Sequence, residues 1–151
     1  MDYVVEFEKL LKSAFKAVEY QIDSERIDVI DLGCPHCART LPRGKMGIYS
    51  FALNDRFLKI GKAGSNSGPR FTYQHYKPGS AQSTLASSIL SDPEMKKYSL
   101  STDNIESWMK KNLRRIDILF DANFGPLVLS FAETSLHLKY QPKYEGFSSQ
   151  R

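Results

Sequence analysis

Hydrophobic spacing predicts a helix in the first twenty positions of the sequence. Over 3–20 the apolar side chains recur with helical spacing and alternate with Glu and Lys: Val4, Phe7, Leu11, Ala14, Phe15 and Val18. This is the period of an amphipathic helix. A second long helix is predicted over 127–140, because its apolar positions follow the same period, Pro126 stands at its first turn and Pro142 follows its end.

Short apolar runs elsewhere predict strands. Residues 27–32 form one run that closes at Gly33, and 116–120 form another. Between them, 46–53 and 56–61 are rich in β-formers and are separated by the turn pair Asn54-Asp55. These two runs therefore predict a β-hairpin with a tight turn.

Three shorter helices complete the pattern. They are predicted over 70–76, 84–90 and 105–110, the last with a capping box formed by Asp103 and Glu106. The order of elements predicts an α+β fold, with a small antiparallel sheet of about three strands flanked by helices.

Composition narrows the class of protein. The chain has 151 residues, of which 41% are apolar and 25% charged, as expected of one compact domain. No run approaches the ~18 apolar residues of a membrane-spanning helix, and the first residues lack the pattern of a secretory signal. Two cysteines cannot build a disulfide framework. We therefore expect a cytoplasmic protein without a membrane partner.

Positive charge is concentrated in one part of the sequence. The formal net charge is +4, yet residues 39–77 hold eight basic residues and one acidic residue. Such a block indicates an anionic partner, with nucleic acid as the leading candidate. An ordinary solvated basic face is the alternative on charge alone.

Several short motifs fall in order on the predicted elements. The hairpin contains Gly47-Ile48-Tyr49 and then Lys59-Ile60-Gly61-Lys62-Ala63, followed by Arg70. Downstream, Glu133 lies in the last helix, before Pro142-Lys143-Tyr144-Glu145. Over about 46–146 the chain resembles the GIY-YIG nuclease family. The resemblance divides the sequence into an extension, 1–45, packed on a nuclease-like domain, 46–151, within one compact unit.

Three positions depart from the family pattern. Lys59 stands where the second motif usually has tyrosine, and Glu145 stands where the closing stretch usually has asparagine. One helical turn after Arg70 the family often has His or Tyr, whereas this chain has Gln74 with Tyr73 and His75 on either side. Of these two neighbours we take His75 as the candidate.

The resemblance implies a role for each matched residue in phosphodiester hydrolysis. Tyr49 would orient or deprotonate water, which requires nearby cations because a phenol has a reference pKa of ~10. Arg70 would grip the phosphate and His75 would orient water or protonate the leaving oxygen. Glu133 would be the single protein ligand of one Mg²⁺ or Mn²⁺ ion. The remaining candidates are cations near the phosphate: Lys59 and Lys62.

Each of these residues also has an ordinary structural explanation. Tyr49 could be a half-buried strand tyrosine, Glu133 a surface carboxylate of a helix, and Arg70 a partner in a salt bridge. The predicted contacts to the nucleic-acid backbone come from the basic block: Arg43, Lys45, Arg56 and Lys77.

The pair Cys34 and Cys37 has the spacing of half a zinc site. Zinc normally takes four ligands, and the chain has no second such pair, so we expect free thiols rather than structural zinc. A zinc site within the chain would need His36 or a distant histidine as a further ligand. His137 lies four residues after Glu133 and could either help to hold a metal or be a satisfied helix histidine.

Taken together, the sequence predicts a metal-dependent endonuclease that acts on DNA, in restriction or defence, mobile elements or repair. RNA stays open as a substrate, and a homodimer is an open option. The alternative is a binding module for nucleic acid or another partner that keeps the fold without turnover, a reading motivated by Lys59 and Glu145.

Overall fold

One antiparallel sheet organises the molecule. The computed structural model describes residues 1–81 and 83–144. Its sheet has the strand order β1-β4-β2-β3, and every neighbouring pair is antiparallel. The strands are β1 Ile27–Gly33, β2 Lys45–Leu53, β3 Arg56–Ala63 and β4 Arg114–Asp121. The predicted α+β class is confirmed, and β1 adds a fourth strand by pairing along β4.

Helices cover both faces of this sheet. The two long ones, α1 Tyr3–Ala17 and α5 Pro126–Tyr140, cover the side that we call the apolar face. Three short helices cover the opposite side, the mixed face: α2 Gly68–Thr72, α3 Leu85–Ser91 and α4 Ile105–Asn112. The predicted helices are all present, and Pro93–Tyr98 adds a 3₁₀ helix that the hydrophobic pattern did not indicate.

The hairpin is closed by the predicted turn pair. Asn54 and Asp55 have φ angles of 49° and 63°. Consecutive left-handed residues match the right-handed twist of the strands that they connect, and Asn and Asp tolerate this conformation better than other residues with side chains. The turn pairs Ala52 with Phe57, and a β-bulge between Phe51 and Ala52 then shifts the register by one residue, so that Tyr49 of β2 lies opposite Gly61 of β3.

The predicted capping box of α4 is wrong. The helix begins at Ile105 with Asn104 at the N-cap, and the Asn104 side chain instead accepts a hydrogen bond from the backbone N–H of Ser101. Glu106 forms an ion pair with Lys110 one turn later, with 2.7 Å between the two charged groups. The carboxylate therefore stabilises the helix surface rather than its first turn.

The apolar face is built from aromatic and aliphatic side chains. Tyr3, Phe7, Phe57 and Tyr140 form a ring cluster with centroids 4.7–6.4 Å apart. Such contacts are favourable beyond the area that they bury.

None of the helices in 1–81 and 83–144 is long and apolar enough to cross a membrane.

Candidate functional site

Tyr49 lies at the centre of the mixed face. It is fully buried in β2, opposite Gly61 on one side and Asp117 of β4 on the other. Its ring crosses directly over Gly61, where an added Cβ would lie 2.4 Å from the phenol oxygen. Only glycine leaves this space, so the Gly61 position of the second motif makes room for the tyrosine of the first.

Two nitrogen donors reach the Tyr49 hydroxyl. The Nε2 atom of His75 lies 2.6 Å from it, and the Nε atom of Arg70 lies 3.1 Å from it. Arg70 is in α2, directly after Pro69, and His75 is in the 3₁₀ segment Gln74–Tyr76 that follows. The structure therefore brings these three predicted residues together.

The protonation state of His75 follows from its surroundings. Burial and the nearby cations Lys59, Arg70 and Arg115 lower its pKa to about 3, so its ring is neutral near pH 7. Its Nδ1 atom accepts a hydrogen bond from the backbone N–H of Leu85 at 3.4 Å. The ring proton is thus on Nε2, and His75 donates to the Tyr49 oxygen.

Arg70 is the exposed member of this cluster. Tyr49 and His75 are buried, whereas Arg70 lies at the surface. Its guanidinium uses Nε toward Tyr49, and planar guanidinium groups bind phosphate well through their other donors. The arginine therefore connects a buried phenol with the surface.

Lys59 is on the same side of the sheet. It is only 7% exposed and lies opposite Phe51, whose ring belongs to the mixed face. The charge of Lys59 contributes to the lowered pKa of His75. Lys59 thus places a buried cation next to the cluster.

Lys62 and Glu133 form a separate pair. The Nζ atom of Lys62 lies 2.5 Å from Oε2 of Glu133, which projects from α5. Lys62 lies opposite Ile48, a residue of the core on the apolar face, and alternation along β3 directs consecutive side chains to opposite sides. The candidate residues therefore form two groups on opposite sides of β3. The Tyr49 cluster lies with Gly61 on the mixed face, whereas Glu133 lies with Lys62 on the other side.

The Glu133 carboxylate is compatible with a minimal metal site. Within the described part of the chain, His, Cys, Asp and Glu side chains form no group of three or more that could hold a metal ion. Mg²⁺ is often bound through one or two carboxylates, with water and phosphate oxygens completing its shell. Glu133 supplies one such carboxylate, which Lys62 now neutralises. Glu145, the other carboxylate considered from the sequence, lies outside the described residues.

The remaining histidines and cysteines have other positions. Cys34 and Cys37 are exposed free thiols, while His36 points inward and uses both ring nitrogens in hydrogen bonds to Leu113 and Tyr76. His137 Nε2 lies 2.8 Å from the carbonyl oxygen of Ile60. Both rings are thus engaged with the fold in the described contacts.

The four predicted backbone-binding cations do not form one patch. Lys45 begins β2, whereas Arg56 begins β3 at the opposite end of the hairpin. Lys77 lies over the Tyr73 ring, 5.5 Å from its centroid, and Arg43 is exposed in the segment before β2. Lys45 and Arg56 are therefore separated by the length of the hairpin.

Sequence reasoning missed a buried ion pair beside the cluster. Arg115 and Asp117 in β4 are 0% and 2% exposed, and the Arg115 Nε atom donates to the Asp117 carboxylate at 2.8 Å. Burial raises the pKa of Asp117, an effect that Arg115 opposes. In the sequence these two charged residues look like solvated positions at the start of a strand. Their spacing of two residues places both side chains on one face of the strand, and this was the one signal of a buried pair.

A chain of hydrogen bonds extends from this pair to the His36 turn. Arg115 Nη1 donates to the Tyr76 hydroxyl at 2.9 Å. Burial lowers the pKa of His36 to about 4, and its Nδ1 proton is donated to the Leu113 carbonyl at 2.6 Å. Its Nε2 is therefore the acceptor for the Tyr76 hydroxyl, 2.7 Å away. Each hydrogen bond in this series therefore has a defined donor and a defined acceptor.

Comparisons of the chain with protein-family models, curated proteins and solved structures found no match.

Proposed function

We propose that this protein is a metal-dependent endonuclease that hydrolyses phosphodiester bonds in DNA, similar to GIY-YIG nucleases. The observation that carries the proposal is the Tyr49 hydroxyl, which receives N–H donors from both Arg70 and neutral His75. Two donors directed at one oxygen stabilise negative charge on it. Once ionised, Tyr49 would be suited to take a proton from an attacking water.

Arg70 supplies the contact with the substrate. It is exposed, and its guanidinium would bind the phosphate and oppose the charge that grows on it during the reaction. With Tyr49 as the phenolate, the water oxygen forms a bond to phosphorus and its proton passes to the Tyr49 oxygen. The bond from phosphorus to the leaving sugar oxygen breaks, and that oxygen takes a proton from solvent. Tyr49 is fully buried, so the water would reach its hydroxyl from the side of Arg70, the exposed member of the cluster.

Glu133 is the residue that would hold the metal ion. When bound, a divalent ion would supply positive charge at the phosphate. The carboxylate of Glu133 is 15% exposed and is held by Lys62, whose ammonium is itself a candidate for phosphate contact. Binding of the ion would release Lys62 from its present partner.

The proposal is tested by cleavage of supercoiled plasmid, single-stranded DNA and RNA with Mg²⁺, with Mn²⁺ or with EDTA. We expect cleavage with metal only, and a rate for Tyr49→Phe that is lower by about 100-fold or more, the usual contribution of a general base. Tyr20→Phe, at an exposed tyrosine after α1, is the matched control and should cleave normally. Equal rates for Tyr49→Phe and the wild type would contradict the proposed role of Tyr49.

A second candidate function is nucleic-acid binding without turnover. The contact between Lys62 and Glu133 favours it, because the proposed metal ligand already has a cationic partner. In that case the wild type would cleave none of the three substrates with either metal. It would still bind DNA, with an affinity that falls steeply as salt is raised.

A further inference from the structure

The segment that carries Arg70 is too short to hold its own position. Helix α2 has five residues, and its N-cap, Ser67, makes no side-chain hydrogen bond to it. Isolated helices of fewer than about 12 residues are marginal in water. The position of Arg70 over Tyr49 must therefore be fixed by contacts between α2 and the sheet.

Phe71, the residue after Arg70, contacts two residues of the sheet. Its ring packs on Gly47 of β2, where an added Cβ would lie 2.6 Å from the ring. Its carbonyl oxygen accepts a hydrogen bond from Nη2 of Arg115 at 2.7 Å. The guanidinium carbon of Arg115 also lies 5.1 Å from the centre of the Phe71 ring. The buried arginine thus contacts both the ring and the backbone of α2.

Asp117 holds this arginine in one orientation. It accepts from Nε, while Nη1 and Nη2 donate to Tyr76 and Phe71. Removing an arginine and an aspartate from water is costly, and apolar residues of similar volume often serve stability equally well. What apolar residues cannot supply is a set of donors directed at the α2 backbone.

We infer that Arg115, oriented by Asp117, is a positioning residue for the proposed active site. It holds α2 against the sheet so that Nε of Arg70 reaches the Tyr49 hydroxyl. The inference rests on the proposed function, but it makes a structural claim that can be measured without any catalytic activity.

The test uses the full chain with Arg115→Met and Asp117→Leu combined, which removes the donors and leaves no buried charge unpaired. We expect the thermal midpoint to change little, because this exchange fills the same space. Backbone amides in 68–76 should exchange with deuterium about tenfold faster or more, because α2 loses its bond to a charged donor. The NMR signal of the Arg70 Nε–H group should lose its protection as well.

Ser50→Ala is the matched control. The Ser50 hydroxyl donates to the Ile116 carbonyl at 2.8 Å, so this variant loses a buried hydrogen bond in the same sheet without touching α2. Exchange over 68–76 should be unchanged in it. If the double variant does not fold, Arg115→Lys replaces it, because lysine keeps the charge but not the planar set of donors. Unchanged exchange over 68–76 in a folded Arg115 variant would overturn the inference.

Kinetics separate this inference from the proposed function. If the wild type cleaves DNA, the double variant should lose about 100-fold in kcat with a smaller change in KM, because its active site is misplaced. If the wild type cleaves nothing, the proposed function fails, and the exchange of 68–76 still decides whether Arg115 positions α2. Full kcat in the double variant would contradict the positioning role.

Discussion

The two faces of the sheet differ in what they bury. Among the described residues, six buried polar or charged side chains belong to the mixed face: His36, Lys59, His75, Thr84, Arg115 and Asp117. One, Ser50, lies on the apolar face, where α1 and α5 pack on aromatic and aliphatic side chains. Burying polar groups costs free energy unless each is paired. Both faces bury hydrophobic side chains, but the mixed face also holds Tyr49, Arg70 and His75 among paired polar groups, while Glu133 lies with Lys62 on the other side of the sheet.

The largest expected effect comes from breaking the buried pair. Asp117→Ala leaves the Arg115 charge buried without its carboxylate and should lower the free energy of unfolding by about 3–5 kcal/mol. Ser50→Ala, which removes one hydrogen bond of the apolar face, should lower it by about 1 kcal/mol. Urea denaturation measures both. Equal losses in the two variants would mean that the faces do not differ in this way.

The next largest expected effect is a loss of stability at acidic pH, caused by two buried histidines of the mixed face. The pKa values of His36 and His75 in the folded chain are about 4 and about 3, both below the unfolded value of ~6.5. Protons therefore bind the unfolded chain preferentially, and stability present above pH ~6.5 is lost as pH falls toward these values. Each histidine should lower the free energy of unfolding by up to about 1.4 kcal/mol per pH unit in this range.

Urea denaturation at pH 7, 6 and 5 tests this expectation, since few carboxylates titrate in that range. The double variant His36→Gln and His75→Gln should show a weaker dependence on pH. A free energy of unfolding that stays constant for the wild type between pH 7 and pH 5 would contradict the buried neutral state of both rings.

A smaller effect is expected at the glycine beneath Tyr49. Gly61→Ala places a Cβ 2.4 Å from the phenol oxygen and should cost about 1–3 kcal/mol while displacing the ring. Cleavage should fall together with stability. Gly64→Ala is the matched control, because an added Cβ there meets no atom within 4 Å. Thermal unfolding and plasmid cleavage of both variants measure the difference.

The smallest effect on stability is expected at Glu133. Its ion pair with Lys62 is partly exposed, and such pairs contribute about 0–1 kcal/mol. Glu133→Gln should therefore fold like the wild type, yet lose metal-dependent cleavage under the proposed function. Full cleavage in this variant would exclude Glu133 as the metal ligand.

Local patterns were enough to predict most elements. The helical period marked α1 and α5, and Asn54-Asp55 marked the hairpin turn, because these signals depend on neighbouring residues. The place of β1 beyond β4 was not predictable in this way, since it depends on a pairing between residues about 90 positions apart. Strand β4 begins at Arg114 rather than 116 because the pairing continues through residues that look polar in the sequence.

The candidate site was predictable only in part. The motif residues Tyr49, Arg70 and His75 are in contact, as the motif order suggested. Lys62 and Glu133 lie apart from them, because side chains alternate along β3 and α5 packs on the other side of the sheet. Arg115 was missed because its burial depends on partners in three distant elements. Residue type alone indicates a solvated arginine.

The most direct test of the proposed site is to map which face of the sheet binds DNA. Tyr49→Phe, labelled with ¹⁵N and kept in EDTA to prevent cleavage, is titrated with a short DNA duplex while the backbone amide signals are followed by NMR. The account predicts that the largest shifts fall in 61–77, around β3 and the α2 segment that carries Arg70. Shifts confined to 3–17, on the helix that covers the apolar face, would contradict it.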